Sequence, residues 1–253
     1  MNFSSKVAKN FMFSRKEVGP IRVTGIIAVV GIAVGTMAMV LSVSVLNGFE
    51  SKIVNKIIGF EGDIKLRGNF YNNEKIKNIQ NINSINEFVA YKERIGLIIA
   101  NNKSTRMIKF KSIDLKKIEK FYDLNIESIG KYDQPKIIIG KTTAARMNLG
   151  VGDEVKIMSP LDQNTILGMP RQVRAVIGAI FNVQVLDFND RIAFIGQEIG
   201  DKLFLRKKDY DGIDIRINDR YSLNKVKSDI FTFFPDSKLE TWKEMHSNLF
   251  SAM

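Results

Sequence analysis

From Val23 to Phe49 the chain carries no charged residue for 27 consecutive positions, and nothing else in its 253 residues constrains the fold as strongly. The most apolar part, Val23–Leu46, is 24 residues long, or about 36 Å as an α-helix at roughly 1.5 Å per residue. The hydrocarbon core of a bilayer is about 30 Å thick, so such a helix spans it with some tilt. In lipid each backbone amide must find its partner within its own segment, which selects helix. Five basic residues (Lys6, Lys9, Arg15, Lys16, Arg22) against Glu17 give +4 before the run, a bias that places the N-terminus in the cytoplasm. A cleaved signal peptide is the competing reading, with Ser42 and Ser44 imitating a cleavage site. The run exceeds the usual apolar core of about 7–15 residues and follows a long leader, which favours a retained helix.

Gly31 and Gly35 are four residues apart within the span, on one helix face. Small residues let membrane helices approach closely, so this face is a candidate for packing against another helix. Residues 3–16 read as a basic amphipathic helix lying along the cytoplasmic lipid surface.

The net charge of +11 invites a nucleic-acid reading. Its distribution argues against one: beyond the leader, the remaining +7 is spread over more than 200 residues without a dense basic block. There is no Cys and a single histidine, His246. A disulfide, a Cys nucleophile and a two-histidine metal site within one chain are therefore excluded, and no cofactor is expected.

Beyond the span the pattern predicts an α+β region. A helical stretch ends near Gly59, followed by strands at 62–66, 87–100 and 105–112 and helical spacing over 115–122. A strand at 136–139 leads into a helix at 141–149, for which Gly150 suits a left-handed cap, and a strand follows at 154–159. Strands at 171–182 and 191–196, a helix at 197–205, a strand at 212–218, a helix at 222–232, a short strand at 237–240 and an amphipathic helix from Thr241 complete the chain. The middle, 130–200, is β-rich.

Several motifs imitate chemistry. Gly140-Lys141-Thr142 resembles the end of a phosphate-binding loop, but Pro135 occupies its first position and 136–139 reads as strand. A strand-to-helix junction is the better reading. Asp187 and Asp190 flank a turn between two strands, where Asp ordinarily serves turn chemistry. His246 has no acid partner evident in the sequence, and Trp242 reads as a packing residue. The segment Ser159–Arg174 joins two strands, yet holds Ile166, Leu167 and Met169 next to Gly168 and Pro170, with Arg171, Gln172 and Arg174 beyond. Apolar side chains in a basic-edged loop suggest a partner contact. Folding back onto the domain is the alternative.

The exit of the span, Gly31-Ile-Ala-Val-Gly35 through Asn47-Gly48-Phe49-Glu50, resembles the first membrane helix of the LolC/LolE-type lipoprotein-releasing permeases. So does the stretch Ile138–Pro160, and Trp242–Ala252 is similar to that family's lead into its second membrane helix. The three blocks stand in the order found in the MacB/FtsX-like superfamily. The resemblance implies a MacB-type periplasmic region with a Porter-like α/β part and an inserted β-rich Sabre part. It divides the chain into a cytoplasmic amphipathic segment (1–22), a transmembrane helix (23–46), a helical stalk (47–60) and a Porter-like subdomain (61–130 with 205–240). A Sabre-like insert (131–204) and a helix toward a second span (241–253) complete the division.

The same resemblance implies partners: a second permease subunit in a homo- or heterodimer, a cytoplasmic ABC ATPase, a periplasmic lipoprotein carrier, lipoprotein substrates and membrane lipids, with no nucleic acid. Residues Ile166–Gln172 are similar in position to the loop by which LolC-type subunits recruit the carrier. The family has four membrane helices and this sequence has one, so a fragment or a truncated product is expected. A MacB-like efflux permease and a single-span anchored binding module in the inner membrane are the competing functions. An enzyme is the least favoured, since no nucleophile, base or metal cluster converges.

Overall fold

The computed structural model describes residues 3, 6–7, 19–70, 76, 78–129, 136–163, 168–183, 185–205, 209–218, 222–235 and 237–247. It divides into two compact units, 1–53 and 54–253. The amphipathic segment expected at 3–16 lies almost wholly outside the described residues.

Helix α1 runs Gly19–Glu61. Among the described residues it is the one helix long and apolar enough to cross a membrane. Its span exposes Val29, Val30, Ile32, Met37 and Val40 to the surroundings. The polar side chains within it turn inward on the backbone: Thr36 Oγ1 donates to Ile32 O at 2.9 Å and Ser42 Oγ to Ala38 O at 2.8 Å. These bonds satisfy hydroxyls where water is absent. A Cβ added at Gly31 or Gly35 would meet nothing within 4 Å, so both positions are open in the single chain.

The second unit takes up α1 from Val54. Four strands form an antiparallel layer in the order β10 (Lys238–Thr241), β1 (Ile64–Phe70), β9 (Tyr210–Ile217), β2 (Ile85–Ala100). Register places Ile64 opposite Ile215 and Leu66 opposite Ile213. With their period of two, these four line one face and are fully buried. Helix α6 (Leu223–Phe233) covers that face with Val226 and Ile230, spaced one turn apart.

Strand β2 serves two layers. Its first half pairs with β9 from Glu87 to Tyr91, and its second half pairs with β3 (Thr105–Ile113) from Lys92 to Ile99. There the sheet closes on itself. Strand β3 pairs with β8 (Ile192–Gly196), β8 with β5 (Lys136–Gly140), β5 with β7 (Pro170–Asn182), β7 with β6 (Glu154–Gln163), and β6 back to β2. This six-stranded ring is a small barrel, and closure leaves its staves without free edges.

Each stave sends two residues, i and i+2, inward: Ile98 and Ala100, Ile108 and Phe110, Ile137 and Ile139, Val155 and Ile157, Ala175 and Ile177, Ala193 and Ile195. Large faces small across the ladders, Phe110 beside Ala193 and Val155 beside Ala175. Gly96 belongs to the inward row. A Cβ there would lie 2.5 Å from Met158 O and 2.9 Å from the Phe110 ring, so the glycine makes room for that ring. Helices α3 (Lys141–Met147) and α5 (Gln197–Leu203) add Ala144, Met147, Ile199 and Leu203 to the same core. Each fully buried Ile of this set contributes about 1.5–3 kcal/mol relative to exposure.

The structure corrects the sequence reading in several places. The barrel draws on more of the chain than the β-rich stretch 130–200: β2 and β3 supply two of its six staves. Strand β4 (Asn125–Ile129), which pairs with β7, was not expected. The turn expected around Asp187 and Asp190 is helix α4 (Leu186–Arg191). Helix α3 ends at Met147, with Asn148 rather than Gly150 in the left-handed cap at φ 52°; an Asn tolerates that conformation through its short polar side chain. Of the helix expected over 241–253, residues Trp242–Met245 form α7, and 248–253 lie outside the described residues.

Candidate functional site

Strands β6 and β7 pair antiparallel from Glu154–Val176 outward to Gln163–Pro170, with an irregularity between Ser159 and Gln163. They form a hairpin. Of the candidate contact residues, Ile166 and Leu167 lie outside the described residues, whereas Gly168 to Gln172 are described. Gly168 adopts φ +63° and a Cβ there would meet open space, so glycine is present for conformation and not for packing. Met169 is 65% exposed, and Leu161 on the facing strand is 72% exposed. Gln172 is exposed and Pro170 half-buried. Arg171 Nη1 donates to Lys202 O at 2.9 Å, which fastens β7 to the end of α5.

The outer end of the hairpin ladder is held by a carboxylate. Asp162 is 2% exposed. It accepts Ser159 Oγ at 2.5 Å, Arg94 Nε at 3.1 Å and Leu205 N at 2.9 Å. Burial alone would raise its pKa, but the Ser159, Arg94 and Leu205 hydrogen bonds together hold it below the usual carboxylate range. The result is a hairpin whose outer end is fastened to Arg94 and Leu205 and which exposes Leu161 and Met169 beside that anchor.

A second constellation lies where α1 ends. Ile57 and Phe60 are buried. The Phe60 ring stacks on Phe188 at 4.3 Å and lies 5.9 Å from Phe181 and 5.8 Å from Phe194. Below it Lys111 of β3 forms a salt bridge with fully buried Asp214 of β9, and Tyr122 Oη donates to the same carboxylate at 2.8 Å. The Lys111 ammonium lies 4.1 Å over the Tyr91 ring. Burial pushes Lys111 down while Asp214 pulls it back up. Burial, with the Asp214 charge and hydrogen bond, raises Tyr122 well above its ordinary value. A Cβ at Gly212 would lie 2.4 Å from Tyr91 Oη, so glycine at that register position admits the tyrosine. Lys65 reaches Glu61 at 3.3 Å, and Glu61 Oε2 is 2.5 Å from His246 Nε2. His246 therefore has an acid partner after all, 185 residues away in sequence.

The remaining motifs resolve structurally. Gly140 is the junction between β5 and α3, where a Cβ would lie 2.2 Å from Asn189 O. Thr143 Oγ1 donates to Asp190 O at 3.0 Å, which ties α3 to α4 and leaves no phosphate cradle there. Asp190 accepts Arg106 and, at 3.1 Å, Arg146, while exposed Asp187 lies 3.6 Å from Arg191. Both carboxylates line one open cavity, where each is engaged by an arginine. Among the described residues no group of three or more metal-ligating side chains converges.

The chain thus combines an apolar helix of membrane length with an α+β unit in which an antiparallel layer continues into a small closed barrel. The chain belongs to the MacB-like periplasmic core domain family, which it matches over residues 26–231. It is 24% identical over 245 residues to the lipoprotein-releasing system transmembrane protein LolC of Buchnera aphidicola subsp. Schizaphis graminum, covering 90% of this chain and 58% of that protein. To LolC of Xylella fastidiosa it is 20% identical over 260 residues, covering 99% of this chain and 63% of that one. The chain thus spans about three-fifths of the length of these relatives. The fold is similar to the periplasmic region of MacB from Actinobacillus actinomycetemcomitans, with a TM-score of 0.53 at 7% identity over 78% of this chain and 97% of that one. The resemblance to LolC-type, MacB-like permeases read from the sequence is thereby met, as is the α+β class with one N-terminal apolar helix.

Proposed function

We propose that this chain supplies the first membrane helix and the outer domain of an ABC-transporter permease subunit that releases lipoproteins from the inner membrane. In this reading the N-terminus is cytoplasmic and the 54–253 unit is periplasmic. The relatives named as lipoprotein-releasing LolC proteins support it, together with the positive charge ahead of the span. A separate cytoplasmic ATPase drives the cycle, and a second permease subunit packs against the Gly31–Gly35 face.

The β6–β7 hairpin is the element that recruits the periplasmic carrier. The observation that carries this is a buried anchor near the outer end of the hairpin, at Asp162, flanked by exposed Leu161 on its own strand and exposed Met169 on the facing one. Apolar anchors on a rigid support bind with little ordering cost.

The test is lipoprotein release from spheroplasts depleted of the endogenous permease and supplied with the purified carrier. Cells complemented with the full-length gene release a labelled lipoprotein into the supernatant. The Leu161→Asp, Met169→Asp pair reduces that release at least tenfold without lowering the amount of permease in the membrane. Release that proceeds equally with the hairpin pair replaced removes the hairpin assignment, and a cell that needs no copy of the gene for release removes the function.

A further inference from the structure

Helix α7 (Trp242–Met245) buries none of its residues. What holds it is polar. Thr241 and Glu244 form a reciprocal capping box, Lys227 Nζ donates to Glu244 Oε1 at 2.7 Å, and Trp242 N donates to Asp63 O at 3.2 Å. The contact to α1 is the 2.5 Å approach of His246 to Glu61, with the two side chains 20% and 15% exposed. Glu61 is the last residue of α1, and the turn before it is fixed by buried Ile57 and Phe60. One side of this contact is therefore anchored by a buried core, and the other by a short helix whose Trp242 and Met245 are only half-buried.

We propose that Glu61 and His246 form a latch, tightened when the imidazole is protonated, that holds the segment following β10 against the end of α1. Lys65 of β1 already pairs with Glu61, and Lys111 of β3 and Asp214 of β9 balance each other beneath it. Lys243 and Glu244 of α7 and Lys227 of α6 complete the charged surroundings, the last two paired with each other. A neutral imidazole gives Glu61 one ordinary hydrogen bond. An imidazolium gives it a second charge-assisted contact. Protonation adds a positive charge next to the Glu61 carboxylate, so the latch tightens on acidification. Because His246 is the only histidine in the chain, no other imidazole can produce the effect.

The latch needs no transport partner and stands apart from the proposed lipoprotein function. Backbone hydrogen exchange of residues 242–247, measured on the full chain in detergent and corrected for intrinsic rates, tests it. The expected result is exchange about fivefold slower at pH 5.5 than at pH 8, the gain from a neutral to a charged hydrogen bond. His246→Gln keeps a hydrogen-bonding side chain that cannot charge and leaves Lys65 and Glu61 paired. It should exchange at the wild-type pH 8 rate at both pH values. Glu61→Gln should also lose the pH dependence. Equal corrected exchange in the wild type at both pH values, or a pH dependence that persists in His246→Gln, overturns the proposal.

Discussion

The hairpin and the root of α1 use the same residue types in opposite ways. At the root, charges are buried and consumed by one another: Lys111 and Tyr122 on Asp214, Lys65 and His246 on Glu61. At the hairpin, one buried carboxylate fixes the outer end of the ladder while apolar side chains beside it stand in solvent. The ionised groups of the root are paired with one another, while the Tyr91 hydroxyl and Asp214 Oδ1 are buried without a hydrogen-bond partner. The hairpin leaves Leu161 and Met169 exposed. Polar atoms satisfied inside a domain hold that domain together, whereas apolar atoms left outside are surface available for binding.

This contrast makes graded predictions. The largest effect belongs to the root. Asp214→Ala strands the Lys111 ammonium in a buried site, and chemical denaturation should show a loss of about 3–5 kcal/mol. A loss below about 1 kcal/mol would mean that water reaches the pair and the root is not dry. Asp162→Ala in the hairpin should cost less, about 1–3 kcal/mol, because Arg94 is partly exposed and recovers water while the Leu205 amide loses its acceptor.

Asp162 also carries a pH signature. Its pKa is lowered in the fold, so its contribution is complete above the ordinary value of 3.8 and is lost as pH falls through the folded value. Asp162→Asn should therefore flatten the stability profile below about pH 4 and leave the slope above about pH 5 unchanged. Thr241→Ala removes the capping box of α7 and should cost about 1 kcal/mol. Smallest in stability is Met169→Asp, within about 0.5 kcal/mol of wild type. If that substitution destabilises as much as Asp162→Ala, Met169 is packed and the contrast between the two regions fails.

Much of this architecture is legible in the sequence. The uncharged run yields α1, the alternation of Ile and Val yields the barrel staves, and Gly140 followed by Lys-Thr marks a junction. Other features depend on partners far along the chain. The alternation in 87–100 reads as one strand but does not show that its halves serve two layers. That division appears only when Tyr91 meets Gly212 and Ile98 meets Ile157. Leu186–Arg191 carries turn residues and still forms helix, because Phe188 stacks on Phe60 and Asp190 receives two arginines. His246 reads as a lone surface residue because Glu61 precedes it by 185 positions. The candidate contact loop rests on its composition: apolar residues beside Gly168 and Pro170, where a connection is ordinarily polar, with Ile166 and Leu167 outside the described residues.

The most direct test of the hairpin as the partner site is photo-crosslinking from position 169. The benzophenone amino acid is placed there in the full-length permease, in cells that produce the periplasmic lipoprotein carrier. An adduct of the permease with the carrier, lost when Leu161 is also changed to Asp, is the predicted result. A carrier that crosslinks equally well from an exposed position on α6 such as Phe231, and not from 169, would contradict it.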